Sequence, residues 1–389
     1  MTDADGMPIH YVDTDQELAN LCAEWRRLPT LALDTEFIRT NTFYARLGLI
    51  QVGDGRACYL IDPLAIEDWD PFKALLQDDT VEIVLHSASE DLNLLFTSFG
   101  CTPARMFDTQ VAAGFLGLGF SLSYQALVAD VLQIEVAKGE TRSDWLQRPL
   151  TDSQLLYAAL DVRYLPALRD LLHARLVDEG KLDWFEEECA LRCSEAAAFE
   201  SLESWARQYT AFVNAWRLND RALAYLQRLC FWREREARRR DRPKSWIAKD
   251  NELQAIAQFC AQVEAPLDNA SLKQLSEVNQ KLIRYRGGAM IAAMENEEDL
   301  SPPDRGHLPS PLEPHQRRLL KQCQKSVQAR AETLGMAPEL LATKRQLVDL
   351  LLGVEQGEGP RWNKQLAGWR RQLLEAELSA LVADRRGDE

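Results

Sequence analysis

Strand patterning in this 389-residue chain ends near residue 85, and the remaining residues carry mainly helical periodicity. That asymmetry limits the fold more than any other feature, because a sheet must be assembled from the opening stretch. Thr30–Phe37, Leu47–Val52 and Ala57–Ile61 are runs of β-favouring apolar residues, with Gly53-Asp54-Gly55 as the turn between the second and third. They predict an antiparallel meander. A helix precedes them over 14–27, where Leu18, Leu21, Cys22 and Trp25 share one side and Thr14 or Asp15 is the cap. A short helix over Asp70–Gln77 and a fourth strand over Val81–Leu85 come next, and further helices are predicted over 108–116, 121–133 and 151–178. From about residue 180 helix formers dominate to the end. The length suits two or three domains. The expectation is an α/β domain, its mixed sheet starting antiparallel and flanked by helices, followed by all-α helical domains.

The first strand of the meander ends on a charge problem. Asp34 and Glu36 stand two positions apart, so alternation puts both carboxylates on one face, and no Lys or Arg is adjacent before Arg39. Such a pair repels itself unless a cation joins it or water solvates it. In His86-Ser87-Ala88-Ser89-Glu90-Asp91, Ser87 and Glu90 fit a capping box that opens a helix, with Asp91 near its first turn. Within 151–165, Tyr157 and Asp161 lie at i and i+4 on one helix face. Each feature alone admits a plainer reading. The strand acids are solvated, Asp91 favours the helix dipole, the phenol and carboxylate form a structural hydrogen bond, and His86 is a satisfied strand-end histidine.

A net charge of −15 looks wrong for a nucleic-acid protein, but its distribution matters more than its total. Residues 1–180 hold 13 Lys and Arg against 28 Asp and Glu, which leaves 32 of each in 181–389. An acidic half that receives phosphates needs metal ions or a basic neighbour. The eight cysteines are scattered, and Cys189 and Cys193 have no second Cys or His pair to complete a zinc site. They read as buried free thiols in a reducing compartment. No apolar leader and no run of about 18 apolar residues is present, so the expectation is a soluble, cytoplasmic protein with no membrane association.

Together Asp34, Glu36, Asp91, Tyr157 and Asp161, in this order on strand, helix and helix, resemble the DEDD exonuclease superfamily in its tyrosine-bearing form. Leu33-Asp34-Thr35-Glu36-Phe37, Leu47-Gly48-Leu49-Ile50-Gln51, Leu85 to Asp91, Phe107-Asp108-Thr109, Ser143-Asp144-Trp145 and Arg148-Pro149-Leu150 look like the ribonuclease D family in particular. The resemblance implies a ribonuclease H-like exonuclease domain over residues 1–180 and a 3′→5′ exoribonuclease that releases nucleoside 5′-monophosphates. Its substrate would be RNA with a free 3′ end, structured RNAs such as tRNA precursors first, with no obligate protein partner. It further implies two divalent ions, Mg²⁺ or Mn²⁺. Asp34, Glu36 and Asp161 would share one, Asp34 would also help the second, and Asp91 would act mainly in the outer shell or through water. Tyr157 would hydrogen-bond the attacking water, and Thr35 and Phe37 would contact the terminal nucleotide. The residue types suit the chemistry. Paired divalent ions stabilise both the attacking and leaving oxygens of a phosphodiester, and hard cations prefer oxygen ligands. The alternatives are a related exonuclease acting on DNA and a non-catalytic RNA-binding scaffold, whose expected mark, loss of a carboxylate, is not seen.

The second half resembles helicase-and-RNase-D C-terminal (HRDC) domains. Trp232-Arg233-Glu234, Pro243 and Asp250-Asn251-Glu252-Leu253 place the first at 207–292, after a helical connector at 181–206. A stretch over 293–315, rich in proline and charge, reads as a linker, and Ala337–Thr343 marks a second, diverged copy over 316–389. In the family these domains form a ring-like arrangement with the catalytic one. The run Arg233–Arg242, with Lys244 and Lys249, is the one dense basic cluster. Arg238, Arg239 and Arg240 are candidates to track RNA phosphates, against the reading of a charged helix face laced with Glu234 and Glu236. Gly114, Gly117 and Gly119 lie between two helical stretches rather than after a strand, so they read as a loop and not as a dinucleotide fingerprint.

Overall fold

Six strands, β1 (Ile9–Val12), β2 (Thr30–Ile38), β3 (Arg46–Gly53), β4 (Cys58–Ile61), β5 (Glu82–Leu85) and β6 (Met106–Asp108), form one mixed sheet in the order β1-β4-β3-β2-β5-β6. The structure is a computed structural model, and it describes residue 2 and residues 6–136, 143–264, 267–296, 300–308, 310–355 and 360–384. The predicted meander is present: β2, β3 and β4 pair antiparallel, whereas β1–β4, β2–β5 and β5–β6 pair parallel. The edge strands β1 and β6 have no counterpart in the sequence pattern. At four and three residues they are too short for alternation to register there.

Around the sheet lie α1 (Asp15–Trp25), α2 (Asp70–Leu76), α3 (Ser89–Phe99), α4 (Thr109–Phe115), α5 (Tyr124–Leu132), α6 (Asp152–Arg163) and α7 (Leu165–Asp178). The capping box expected at Ser87 does not form. Ser87 adopts a left-handed backbone with φ 61°, and α3 starts at Ser89 with no side-chain cap. The reason is Asp108, buried at the end of β6. Its carboxylate accepts from the backbone amides of Ser87 and Ala88, both at 3.0 Å, and of Gln110 and Val111 at 2.9 and 3.3 Å. One acid thus fixes the two residues that lead into α3 while capping α4 with the same carboxylate.

The single helix predicted over 151–178 is two. Pro166 in the first turn of α7 has no amide to donate. The Tyr124 hydroxyl stands in the ladder at the break, donating to Leu160 O at 2.9 Å and accepting from Tyr164 N at 3.1 Å.

The helices continue as α8 (Leu182–Ala198), α9 (Leu202–Ala206), α10 (Asp220–Arg240), α11 (Lys244–Ile247), α12 (Asp250–Cys260), α13 (Asn269–Leu272), α14 (Gln280–Glu295), α15 (Pro314–Leu334), α16 (Pro338–Leu341), α17 (Lys344–Glu355) and α18 (Trp369–Asp384). Two apolar cores hold them. One encloses Tyr209 to Leu308, within which α10, α12 and α14 pack together. The expected boundary at 292 falls inside α14, and the described part of the 293–315 stretch is fastened to this core. Leu308 is buried in it, Arg305 pairs with Asp220 at 2.7 Å, and Asp304 N donates to the Tyr209 hydroxyl at 2.7 Å. Residues 297–299 and 309 of that stretch lie outside the described residues.

The other core is shared. Residues of α15 to α18 join the core of the sheet domain as one apolar cluster. Trp369 packs against Phe115 and Trp184, with ring centroids at 5.0 and 6.3 Å, and the buried Arg370 pairs with Glu188 at 2.6 Å. Gly114 lies within α4 rather than in a loop, and the approach of α16 explains it. A Cβ there would stand 2.8 Å from Leu340 Cδ1, while Ala337 N donates to Gly114 O at 2.8 Å. Among the described residues, no helix is long and apolar enough to cross a membrane.

Candidate active site

β2 and α6 bring the predicted acids together. On β2 the buried Leu31, Leu33 and Thr35 point to one face and Asp34 and Glu36 to the other. Asp34 pairs across the ladder with Gln51 and Glu36 with Leu49, and the register shifts just after Glu36. On α6, Thr151 forms a capping box with Gln154, which fixes the helix start one turn before Tyr157. Tyr157 and Asp161 then lie on one face, as their spacing predicts, and the phenol hydrogen-bonds the carboxylate. One carboxylate oxygen from each of Asp34, Glu36 and Asp161 lies within 4.8 Å of the others, and among the described residues this is the only such group of potential metal ligands. No cysteine belongs to it.

Asp91 stands apart from that trio. It is buried in the first turn of α3, and Thr35 Oγ1 donates a hydrogen bond to its Oδ1. The sequence resemblance assigns Thr35 to substrate; its hydroxyl is instead buried and committed to Asp91. Phe37 is half-buried beyond the register shift. His86 is satisfied as expected, with Nδ1 against Thr109 Oγ1 at 2.9 Å and Nε2 against Leu122 O at 3.0 Å.

The electrostatics show what the cluster lacks. Burial raises Asp34 well above the usual carboxylate range, with the charges of Asp91, Asp161 and Glu36 adding to it. Burial, then Asp161 and Asp91, pushes Glu36 up to about 8. Burial also takes Asp161 and Asp91 to about 7, against the lowering pull of their hydrogen bonds from Tyr157 and Thr35. Among the described residues, no Lys or Arg is ion-paired with any of the four, and Arg39 is taken up by Glu90 at 3.2 Å on the surface. Desolvated like charges favour protonation unless a cation compensates them. An all-carboxylate donor set, three oxygens close together and no ion-paired Lys or Arg among the described residues fit a hard divalent ion.

Two residues of the matching motifs carry no role that the sequence alone reveals. The Trp145 ring, buried, lies 6.2 Å from that of Tyr157. Arg148 fixes Trp145 by donating to its carbonyl at 2.9 Å and to Gly48 O at 2.7 Å, while pairing with Asp62 at 2.6 Å. Gly48 permits this, since a Cβ there would stand 2.7 Å from Trp145 Cβ. No spacing rule joins residue 48 to 145; only the fold does.

The basic end of α10 differs from its expectation. The Arg238 guanidinium is buried, paired with Glu200 at 3.0 Å and with Glu234, and it lies over the rings of Trp205 and Phe43 at 4.3 and 4.4 Å. It ties α10 to the loop that leaves β2 and is not available to a phosphate. Beside it, Asp241 Oδ1 accepts from the amides of Phe43 and Tyr44 at 2.9 and 3.0 Å. Arg239 and Arg240 are exposed, each paired with Glu236, at 2.9 and 2.7 Å.

Comparison with known proteins agrees with this geometry. A family model described as a 3′-5′ exonuclease matches residues 9–177, one described as an HRDC domain matches 222–294, and one described as the C-terminal HRDC domain of ribonuclease D matches 314–378. The chain is 42% identical over 377 residues to a ribonuclease D of Pseudomonas paraeruginosa, covering 96% of this chain and 97% of that one. It is 37% identical over 388 residues to ribonuclease D of Escherichia coli, covering 97% and 99%. The crystal structure of Escherichia coli RNase D, described as an exoribonuclease involved in structured RNA processing, matches with a TM-score of 0.84 at 34% identity, over 97% of this chain and 99% of that one. The chain belongs to the ribonuclease D family and is a 3′→5′ exoribonuclease, an enzyme that acts on RNA and uses divalent metal.

Proposed function

We propose that this ribonuclease D family member trims the 3′ ends of structured RNAs, tRNA precursors first, with Asp34, Glu36 and Asp161 holding a pair of Mg²⁺ or Mn²⁺ ions. The observation that carries the reading is the convergence of those three half-buried carboxylates with Tyr157 bonded to Asp161. When bound, the cations supply an activated water and offset the negative charge that gathers on the phosphate. The remaining work belongs to the chain. Asp91, oriented by Thr35, adds a negative charge behind Asp34 and would act on the bound ions from the outer shell. Burial and the charge of Asp161 raise the Tyr157 phenol far above its ordinary value, so it keeps its proton and is no general base. Its hydrogen goes to Asp161, which leaves the oxygen lone pairs free to accept from the attacking water and aim it at phosphorus. Trp145 and Arg148 keep the phenol in place. Water oxygen bonds to phosphorus as the bond to the 3′ oxygen breaks, which frees a nucleoside 5′-monophosphate and leaves a 3′-hydroxyl on the shortened RNA.

The substrate class rests on the similarity to the Escherichia coli enzyme involved in structured RNA processing and on the three exonuclease and HRDC matches. Arg239 and Arg240 are the exposed cations proposed to follow the RNA backbone, and Phe37 the aromatic proposed to meet the terminal nucleotide. The test compares 3′-labelled and 5′-labelled RNA and DNA of one sequence, and a tRNA precursor, with and without Mg²⁺ or Mn²⁺. The expected result is release of labelled mononucleotide from the RNA 3′ end only when metal is present. Equal turnover of DNA, or activity in chelator, would overturn the reading.

A further inference from the structure

Gln51 is a polar side chain that the protein leaves unanswered beside the acids. It is fully buried, and neither its Nε2 nor its Oε1 has a hydrogen-bond partner. Buried side-chain amides are nearly always paired, because an unpaired one forfeits its hydration. Its position is the second observation. In the β2–β3 ladder Gln51 is the direct partner of Asp34. Directly opposed residues of an antiparallel pair project from the same face, with Cβ atoms about 4.5–5.5 Å apart.

That face is closed by α6. Gly53, two residues along from Gln51, lies under it: a Cβ there would stand 3.1 Å from Val162 O. Leu60, the partner of Gln51 on β4, follows Cys58 on the same face, and Cys58 Sγ contacts Ala159 O at 3.4 Å. The amide is therefore enclosed between the sheet and the helix that carries Tyr157 and Asp161, with Asp34 as its neighbour across the ladder. A glutamine retained for packing alone would be served as well by an apolar side chain of its length. An amide offers what the acids around it do not, a hydrogen-bond donor that carries no charge.

We propose that Gln51 is a positioning residue whose amide holds the Asp34 carboxylate through one water, in the orientation in which Asp34 binds the divalent ion. The inference rests on the reading of Asp34 as a metal ligand. Groups that orient ligands in this way are worth about 10–100-fold in metal affinity.

The experiment titrates Mn²⁺ into the metal-stripped full chain, following free Mn²⁺ by electron paramagnetic resonance, alongside metal-free thermal unfolding. Gln51→Met, of similar length but with no donor, is expected to lower Mn²⁺ affinity about 10–100-fold, while the metal-free melting temperature stays level or rises because an unpaired amide has gone. Gln51→Leu is read in the same way where Gln51→Met does not fold. A merely structural role moves the two readouts the other way, with a lower melting temperature and unchanged Mn²⁺ affinity, and that result overturns the proposal. Asp34→Asn separates the two readings. Loss of Mn²⁺ binding in Asp34→Asn with wild-type binding in Gln51→Met removes Gln51 alone, whereas retained binding in Asp34→Asn removes the reading of Asp34 and this inference with it.

Discussion

Two charge clusters flank the loop that leaves β2, and they are built on opposite principles. Around Arg238 the two glutamates each have a cation: Glu234 meets Arg238 and Lys244, and Glu200 meets Arg238, with the rings of Phe43, Trp205 and Phe199 around the guanidinium. Around Asp34, Glu36 and Asp161 there is no cation among the described residues, and burial and mutual repulsion push the acids toward protonation. The paired cluster satisfies itself and so joins domains. The unpaired one is satisfied only by something from outside, which is what a binding site requires.

Substitution sharpens that contrast most at Asp34. Asp34→Asn is expected to cut exonuclease activity on the order of 10³-fold or more, the loss of several kcal/mol of charge stabilisation, while the metal-free melting temperature holds or rises as repulsion is relieved. A folded Asp34→Asn enzyme with full activity would end the comparison. Arg238→Ala has the opposite signature. It strands Glu200 and leaves Glu234 with Lys244 alone, and is expected to cost about 3–5 kcal/mol in denaturant unfolding, whereas the folded fraction still hydrolyses a dinucleotide. Tyr157→Phe removes one hydrogen bond at the proposed reacting centre. Its kcat is expected to fall about 10²-fold with Mn²⁺ affinity kept, and unchanged turnover would take the phenol out of the mechanism.

The pH response reflects the same asymmetry. A carboxyl raised in the folded state favours folding while protonated, so its contribution is present below the ordinary carboxylate range and is lost as pH climbs through the folded value. Metal-free protein should therefore lose stability as pH rises from about 4 to about 8, where Glu36 titrates. The melting temperature of Asp34→Asn should fall less over that window, and the difference between the two curves isolates the cluster. Identical curves would show the acids to be solvated. The smallest effect is expected from Arg239→Ala combined with Arg240→Ala. Binding of long RNA should weaken, and the slope of log K against log salt should flatten by about 0.7 for each phosphate no longer neutralised, with dinucleotide hydrolysis unchanged.

The HRDC regions teach a related lesson about what a sequence displays. Read as two copies of one module, they differ in how they are held. One closes on its own core around Leu223, Leu226 and Ile283, and the other merges with the core of the sheet domain through Trp369 and Leu340. Helical periodicity reports that a face is apolar, not which surface will cover it. The same limit explains Gly114, whose lack of a side chain is intelligible only with Leu340 against it.

What the sequence determined by itself was local: a meander from alternating runs, a helix carrying Tyr157 and Asp161 four residues apart, and two acids on one strand face. These come from backbone periods of 2.0 and 3.6 residues, which no distant contact alters. The tertiary structure alone decided the pairings between distant residues. It set Asp108 against the amides of Ser87 and Ala88, Tyr124 in the break before Tyr164, Trp145 beside Tyr157, Arg238 inside an ion-pair cluster and Gln51 opposite Asp34. The physical reason is common to all five. A hydrogen bond, ring contact or ion pair depends on separation in space, and separation along the chain does not fix it.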